Sequence, residues 1–412
     1  MAIMKKTLLL MLTLLLGLSV QAQQVTEQEA LQKARSFLSG KTFSIVSKTR
    51  GNSESDIQPY YIFNAQEGGF VIVSGDERTI PILGFSDKGN FDVIDLPDNL
   101  RFLLTRYESQ IQFLQENNIT VPQKAKTRAM TSSVAPMLTS AWGQGLPYRK
   151  DCKVTYNTTE EITSPSGCIA VCMAQVMYYY AKKSEAGRVS SLAIPAYNYE
   201  KDSRNYTHAA LPATTFEWDK LKNTYSSNET GESADAVAKL MHYCGAATQM
   251  MYGESGSGVL TRNVIYGLTS YLGYAKTAHY EKKENYLWSD WASLIDQELS
   301  AGRPIIYGAR DNMANVGDHA FVIDGYDAST DFYHVNFGWG NPSYNSYYAL
   351  YLLNPDRGDG RAYNKMDDVI FGISPVANGD LPVQVDHLTV SNLRINSSNN
   401  IEYDARNYTG KS

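Results

Sequence analysis

The 412-residue sequence predicts an α+β protein in two parts, a small N-terminal unit and a larger domain with two segregated lobes. Three observations lead there. The length is enough for two hydrophobic cores. Within the first 120 residues the apolar period changes from helical to strand-like and back. In the longer remainder helical patterns come first and strand patterns last, an order that separates helices from sheet. The cleft between two such lobes is the default place for a site.

Residues 1–22 read as a secretory signal. Lys5 and Lys6 precede an apolar run over 8–18, and Val20-Gln21-Ala22 offers a cut after Ala22. The run is short for a membrane span, and no later stretch is apolar for long enough. The expectation is a secreted, periplasmic or cell-surface protein with no membrane partner once the signal is removed. TEQEALQKARSFL, 26–38, has helical spacing behind a Thr-x-x-Glu capping box. PYYIFNA, GGFVIVSGD and PILGFS are short β-rich runs punctuated by Gly, Asp and Pro. Helical spacing returns over 97–116. These elements make 23–120 one small α+β domain, without a Cys or a His and so without nucleophilic equipment.

VPQKAKTRAMTSS, 121–133, is polar and basic. It reads as an exposed, cleavable linker, with Lys124, Lys126 and Arg128 inviting proteolysis. The large domain runs over 134–375 and ends in the strand-like RPIIYGAR, HAFVIDGYD, DFYHVNFGWG and YYALYLL. Residues 376–412 are a polar tail, or the start of a small β module, around DHLTVSNLRI. A formal net charge of −6 without a basic block speaks against nucleic acid as a partner.

All four cysteines, Cys152, Cys168, Cys172 and Cys244, fall in the large domain. Four are too few for a disulfide framework in so long a chain, although a Cys152–Cys244 bridge stays open. No second Cys/His pair at metal-ligand spacing follows Cys168 and Cys172, so no metal and no other cofactor is expected. In SPSGCIAVCMAQ, Pro165 and Gly167 end what precedes and a helix begins at Cys168. Ala170, Met173, Ala174, Met177 and Ala181 supply its inward stripe. A thiol at the first helical position faces unpaired N–H groups and the positive end of the helix, which favours thiolate. Gly167 leaves room for a substrate backbone. Cys172, one turn further in, reads as a buried packing thiol.

A thiol nucleophile needs a base and a group that orients the base. His319, in GDHAFVIDGYD, opens an apolar strand and so stands at a lobe edge. His334 lies inside the next strand and reads as structural. His208, His242, His279 and His387 read as surface or core residues. Asn336, in NFGWG, can hold an imidazole tautomer, and Trp339 can shield that bond from water. The His and Asn follow the Cys by roughly 150 and 170 residues, close to the papain-like order. The N–H of Cys168 is one oxyanion donor, and the side-chain amide of Gln144, in AWGQGLPY, is the candidate second.

These residues resemble the streptopain-like cysteine peptidases of bacteria, which include interpain. GGFVIVSGDERTIPILGFSDKGNFD is similar to the family's propeptide block. WGQGLPY, SGCIAVCMAQVMYYY, MMYGESGSG, GDHAFVIDGYD, FYHVNFGWG and LLNP…VIFGISP follow in order, so the likeness covers about 25–375. It implies a papain-like two-lobed peptidase domain preceded by a small α+β inhibitory prodomain, made as a zymogen and cut in the linker. It implies that the prodomain is an intramolecular inhibitor that displaces the catalytic His. Protein and peptide substrates are implied, with an apolar residue two before the cut. By position Cys168 becomes the nucleophile, His319 the base and Gln144 the oxyanion donor, with Asn336 or Trp339 the partner of the His. The loop 252–258 is expected to border the cleft. The chain departs from the family at Phe337, usually Trp; at Arg149, usually Asn; at Cys172, usually small; and at Asn341, usually Gly. The alternatives are a related thiol amidase or acyltransferase, which would share the site without cleaving proteins, and a catalytically inactive binding or adhesion protein.

Overall fold

The structure, a computed structural model, describes residues 24–48, 58–94, 96–116, 132–157, 160–309, 319–350, 352, 367–376, 388–395 and 401–407. The expected signal peptide lies outside the described residues, as does nearly all of the linker. The chain divides into two compact units.

The N-terminal elements follow their sequence signals. Helix α1 (Glu27–Phe37) opens with the expected capping box. Thr26 Oγ1 accepts from the Glu29 N–H at 3.3 Å, and Glu29 Oε2 accepts from the Thr26 N–H at 2.8 Å. That pairing holds the Glu29 carboxyl below its usual range. Strands β1 (Phe43–Lys48), β2 (Tyr60–Ala65), β3 (Phe70–Ser74) and β4 (Ile82–Ser86) form an antiparallel run, each pairing the next. Helix α2 (Asp98–Glu116) follows.

The remaining chain supplies β5 (Lys153–Tyr156), β6 (Glu160–Thr163), α3 (Cys168–Lys183), β7 (Ser190–Ser191), β8 (Tyr197–Lys201), β9 (Arg204–His208) and β10 (Thr214–Thr215). Helices α4 (Glu232–Ala247) and α5 (Asn263–Ser270), strand β11 (His279–Lys282) and helix α6 (Trp288–Ser300) come next. The strand-rich end holds β12 (Ile305–Ala309), β13 (His319–Asp327), β14 (Phe332–Asn336), β15 (Ser346–Tyr348) and β16 (Asp368–Phe371). The tail forms a hairpin of β17 (Leu388–Ile395) and β18 (Ile401–Asn407).

The first unit contains the N-terminal elements together with 330–333 and 343–363 from far along the chain. Its strand order is β1-β2-β3-β4-β15. β15 pairs antiparallel with β4, Tyr347 opposite Phe85 and Tyr348 opposite Gly84. The buried Tyr107 hydroxyl of α2 reaches the carbonyls of both Leu83 and Ala349. The Leu352 N–H donates to Gln110 Oε1 at 3.2 Å. Residues far along the chain thus complete this unit.

The second unit holds a sheet in the order β14-β13-β12-β16-β11, to which β14 contributes His334–Asn336. Helix α3 packs on β12 and β13. Apart from Gln175 its inner face is apolar, with Ala170, Met173, Ala174 and Met177 fully buried against Leu240, Met241 and Val322 in one core. Helices do precede the main strands, as expected. A four-stranded sheet, β6-β5-β9-β8, interrupts them, and the helix-first pattern did not foretell it. Its strands are short, and two of the five β8 residues and three of the four β6 residues face solvent, so they lack a strong apolar period.

Candidate active site

Cys168 is the first residue of α3, and Gly167 is the N-cap. Gly167 has φ 86° and ψ 141°, a region that only glycine enters without strain. A Cβ there would lie 2.9 Å from the Met250 sulfur and 3.2 Å from the Ser257 carbonyl. The glycine thus serves the backbone conformation and the close approach of the 250–257 segment, rather than an open channel for substrate. The glycine cap has no side chain to accept from the first turn, and that turn carries no acid, so the helix start keeps the positive end that favours a thiolate. Cys168 itself is half-buried.

The other thiols sit in different settings. Cys172 is fully buried, and burial pushes its pKa well up, with the nearby Cys168 adding to the effect. Burial pushes Cys152 up to about 12 and raises Cys244 as well. Cys152 and Cys244 are free thiols here, the latter with its sulfur 3.6 Å from that of Met177.

Gln144 lies beside the nucleophile's loop, its carbonyl accepting from the Ser166 N–H at 3.3 Å. The 336–340 segment closes on the same region. Gly340 N–H donates to the Trp142 carbonyl at 3.0 Å, and a Cβ on Gly143 would lie 3.1 Å from the Trp339 carbonyl group. Gly338, at φ +66°, leaves only 2.8 Å between its missing Cβ and Val171 Cγ1. Trp339 is thereby fixed against the loop that carries Gln144.

His319 is the first residue of β13, in register with Ala309 at the end of β12; residues 310–318, just before it, lie outside the described residues. Tyr179 Oη, near the C-terminal end of α3, donates to the Gly302 carbonyl at 2.9 Å, just before β12 begins.

Asn336 is buried, and its amide is fully used. Nδ2 donates to the Ser140 carbonyl at 2.8 Å and to Gln175 Oε1 at 3.4 Å, while Oδ1 accepts from Gln175 Nε2 at 3.2 Å and from the Gly338 N–H at 3.1 Å. His334 behaves as a structural residue, its Nδ1 lying 2.6 Å from the buried Asp324 Oδ1. Asp324 Oδ2 in turn accepts from the Leu138 N–H at 2.7 Å. Val134 and Tyr326 exchange backbone hydrogen bonds, so the start of the large domain is held along β13.

The sequence reading passed over Gln175. It is fully buried in α3, two turns from Cys168, among Ala, Met and Val. A long polar side chain inside an otherwise apolar stripe was the available signal. Among the described residues no group of three or more His, Cys, Asp or Glu is placed to hold a metal ion, and no helix is long and apolar enough to cross a membrane.

Fold and site together define a class, a two-part α+β protein with a half-buried thiol at a helix start, the setting of a thiol enzyme. The peptidase C10 family model matches 142–348, the Spi protease inhibitor model matches 22–111, and the chain belongs to the peptidase C10 family. It is a cysteine-type endopeptidase of the streptopain-like kind, made as a zymogen. Among curated proteins it is 32% identical over 333 residues to streptopain of Streptococcus pyogenes, covering 76% of this chain and 80% of that protein. It is 29% identical over 388 residues to the thiol protease/hemagglutinin PrtT of Porphyromonas gingivalis. That match takes in 87% of this chain but spans only 43% of the relative's length. Among solved structures, a prointerpain A fragment from Prevotella intermedia superposes with a TM-score of 0.63 at 27% identity, covering 82% of this chain and all of that one.

Proposed function

We propose that the protein is an exported endopeptidase in which the Cys168 thiolate attacks the scissile carbonyl and His319 protonates the leaving amine. Water then hydrolyses the thioester, with His319 as the base. The Cys168 N–H and the Gln144 amide receive the oxyanion. The observation that carries this reading is the placement of Cys168 at a glycine-capped helix start, with the Gln144 loop hydrogen-bonded to the residue two before it. Since every hydrogen-bonding position of the Asn336 amide is taken, Trp339 is the residue assigned to screen the imidazole.

In this reading residues 23–120 form an intramolecular inhibitor, a cut between Lys124 and Ser133 releases the mature enzyme, and residues 1–22 direct export. Protein and peptide chains are the substrates. The deciding experiment is Cys168→Ala in the full chain. The variant should neither mature itself nor cleave casein, and wild-type enzyme should lose activity on stoichiometric alkylation by iodoacetamide. Casein cleavage by the alanine variant would refute the assignment. N-terminal sequencing of the mature form checks the cut, and a start well outside 124–133 would refute that part alone.

A further inference from the structure

Gln175 stands at the centre of a closed hydrogen-bond ring. Its Oε1 accepts from Ser140 Oγ at 3.0 Å and from the Trp142 N–H at 3.1 Å. Its Nε2 donates to Asn336 Oδ1 at 3.2 Å, and Asn336 Nδ2 closes the ring on the Ser140 carbonyl at 2.8 Å. Ser140, Gln175 and Asn336 are all buried, Gln175 completely. Three segments meet in this ring. One is α3, which begins at Cys168. The second, 140–144, carries Gln144. The third, 336–340, carries Trp339 and is bonded to the second through Gly340 N–H and the Trp142 carbonyl.

A buried amide on an apolar helix face is unfavourable unless each polar atom finds a partner. Here each does, and the partners belong to the loops flanking Cys168 rather than to the helix itself. From this geometry we infer that Gln175 is a positioning residue for the peptidase reaction. It sets the distances of the Gln144 and Trp339 loops from the helix that bears the nucleophile. The inference rests on the reading of Cys168 and Gln144 proposed above. It assigns no chemical step to Gln175, which acts through the loops it ties.

A structural role alone predicts a loss of stability, whereas positioning predicts a loss in turnover that outruns it. Gln175→Met keeps the shape and removes every hydrogen bond; Ser140→Ala removes a single donor. Each full-length variant is matured in trans by tagged wild-type enzyme, which is then withdrawn by its tag. For folded Gln175→Met, kcat on a fluorogenic peptide should fall on the order of 10- to 100-fold with KM within about threefold of wild type. The pH profile of Cys168 alkylation by iodoacetamide should stay put, because the helix mouth that favours the thiolate is untouched. Ser140→Ala should lose roughly three- to tenfold in kcat, and it carries the test if Gln175→Met does not fold.

A kcat within about twofold of wild type in either folded variant overturns the inference. So does a loss of kcat in step with a shifted alkylation profile and melting temperature, which marks a purely structural residue. Cys168→Ala, run alongside, separates the two levels. If it remains active, the site reading itself fails. If it is inactive while Gln175→Met turns over normally, only the positioning role falls.

Discussion

Among the four cysteines, position relative to a helix start separates the proposed nucleophile from the buried thiols. Cys168 is the partly exposed first residue of α3, whereas Cys152, Cys172 and Cys244 are buried and have raised pKa values. Brief iodoacetamide treatment of the mature enzyme at pH 7, read by peptide mass mapping, should therefore modify Cys168 and spare the other three. Comparable labelling of Cys172 would contradict its burial. Glycine matters at residue scale where φ is positive and space is short. At Gly338 both hold, with Val171 Cγ1 2.8 Å from the position of a Cβ. Gly338→Ala should cost about 1–3 kcal/mol in urea unfolding, combining strain and overpacking. Adding Val171→Ala should recover the steric part and leave the strain. An unchanged urea midpoint for Gly338→Ala would show that the loop relaxes freely.

Among the secondary-structure elements, β4 and β15 show best what sequence patterning leaves out. The β-rich period of 82–86 was plain, and YYALYLL was strand-like. Nothing local in either sequence says that the two pair, or that the Ser346 hydroxyl donates to the Phe85 carbonyl 261 residues away. Gly84 is the contact point. A Cβ on it would lie 2.6 Å from the ring of the buried Tyr348. Tyr107 adds a hydroxyl that bridges the carbonyls of Leu83 and Ala349. In a Cys168→Ala zymogen, which should stay uncut, Tyr107→Phe should destabilise by about 1–2 kcal/mol, by removing the hydroxyl donor to the Ala349 carbonyl; the Leu83 carbonyl keeps the Ala349 N–H. Gly84→Val should cost at least as much through the clash. Differential scanning calorimetry measures both, and an unperturbed transition in both variants would show that this pairing contributes nothing to the zymogen.

A pair of histidines packed against Tyr252 should make the second unit sensitive to acid. His208 Nε2 and His242 Nε2 are 2.8 Å apart, and His208 stacks on Tyr197 and Tyr252. Burial lowers His208 to about 4. Burial, then repulsion from His208, lowers His242 to about 3. Both folded values lie below the ordinary value of 6.5, so the unfolded chain takes up protons first as the solution is acidified. Their contribution to stability is fully present above pH 6.5 and is lost as the pH falls towards 4 and then 3. At roughly 1.4 kcal/mol per pKa unit the loss is on the order of 3 kcal/mol for His208 alone. Melting temperature from pH 7 down to 4 should fall less steeply in His242→Gln than in wild type. Identical slopes would assign the acid sensitivity to other groups.

Much of the candidate site could be read from the chain itself. Cys168 was placed at a helix start by Pro165, Gly167 and the apolar stripe that follows, and α3 begins at that residue. His319 was placed at a strand start, and β13 begins there. The Thr26–Glu29 capping box and the first three β-rich runs were equally legible, because caps, turns and periods are properties of neighbours in sequence. Less legible was anything that depends on which distant segment covers a face. Asn336 looked like a partner for histidine, yet its amide is spent on Ser140, Gln175 and Gly338. Gln175 looked like one more helix residue, and residues 343–352 like part of the large domain alone. By itself the sequence determined the family, the order of Cys, His and Asn, and the local structure around each. The tertiary structure alone decided which buried amides bond to one another and which strand closes the first unit. A side chain's period reveals that it is buried, but its hydrogen-bond partner is set by segments that only folding brings within about 3 Å.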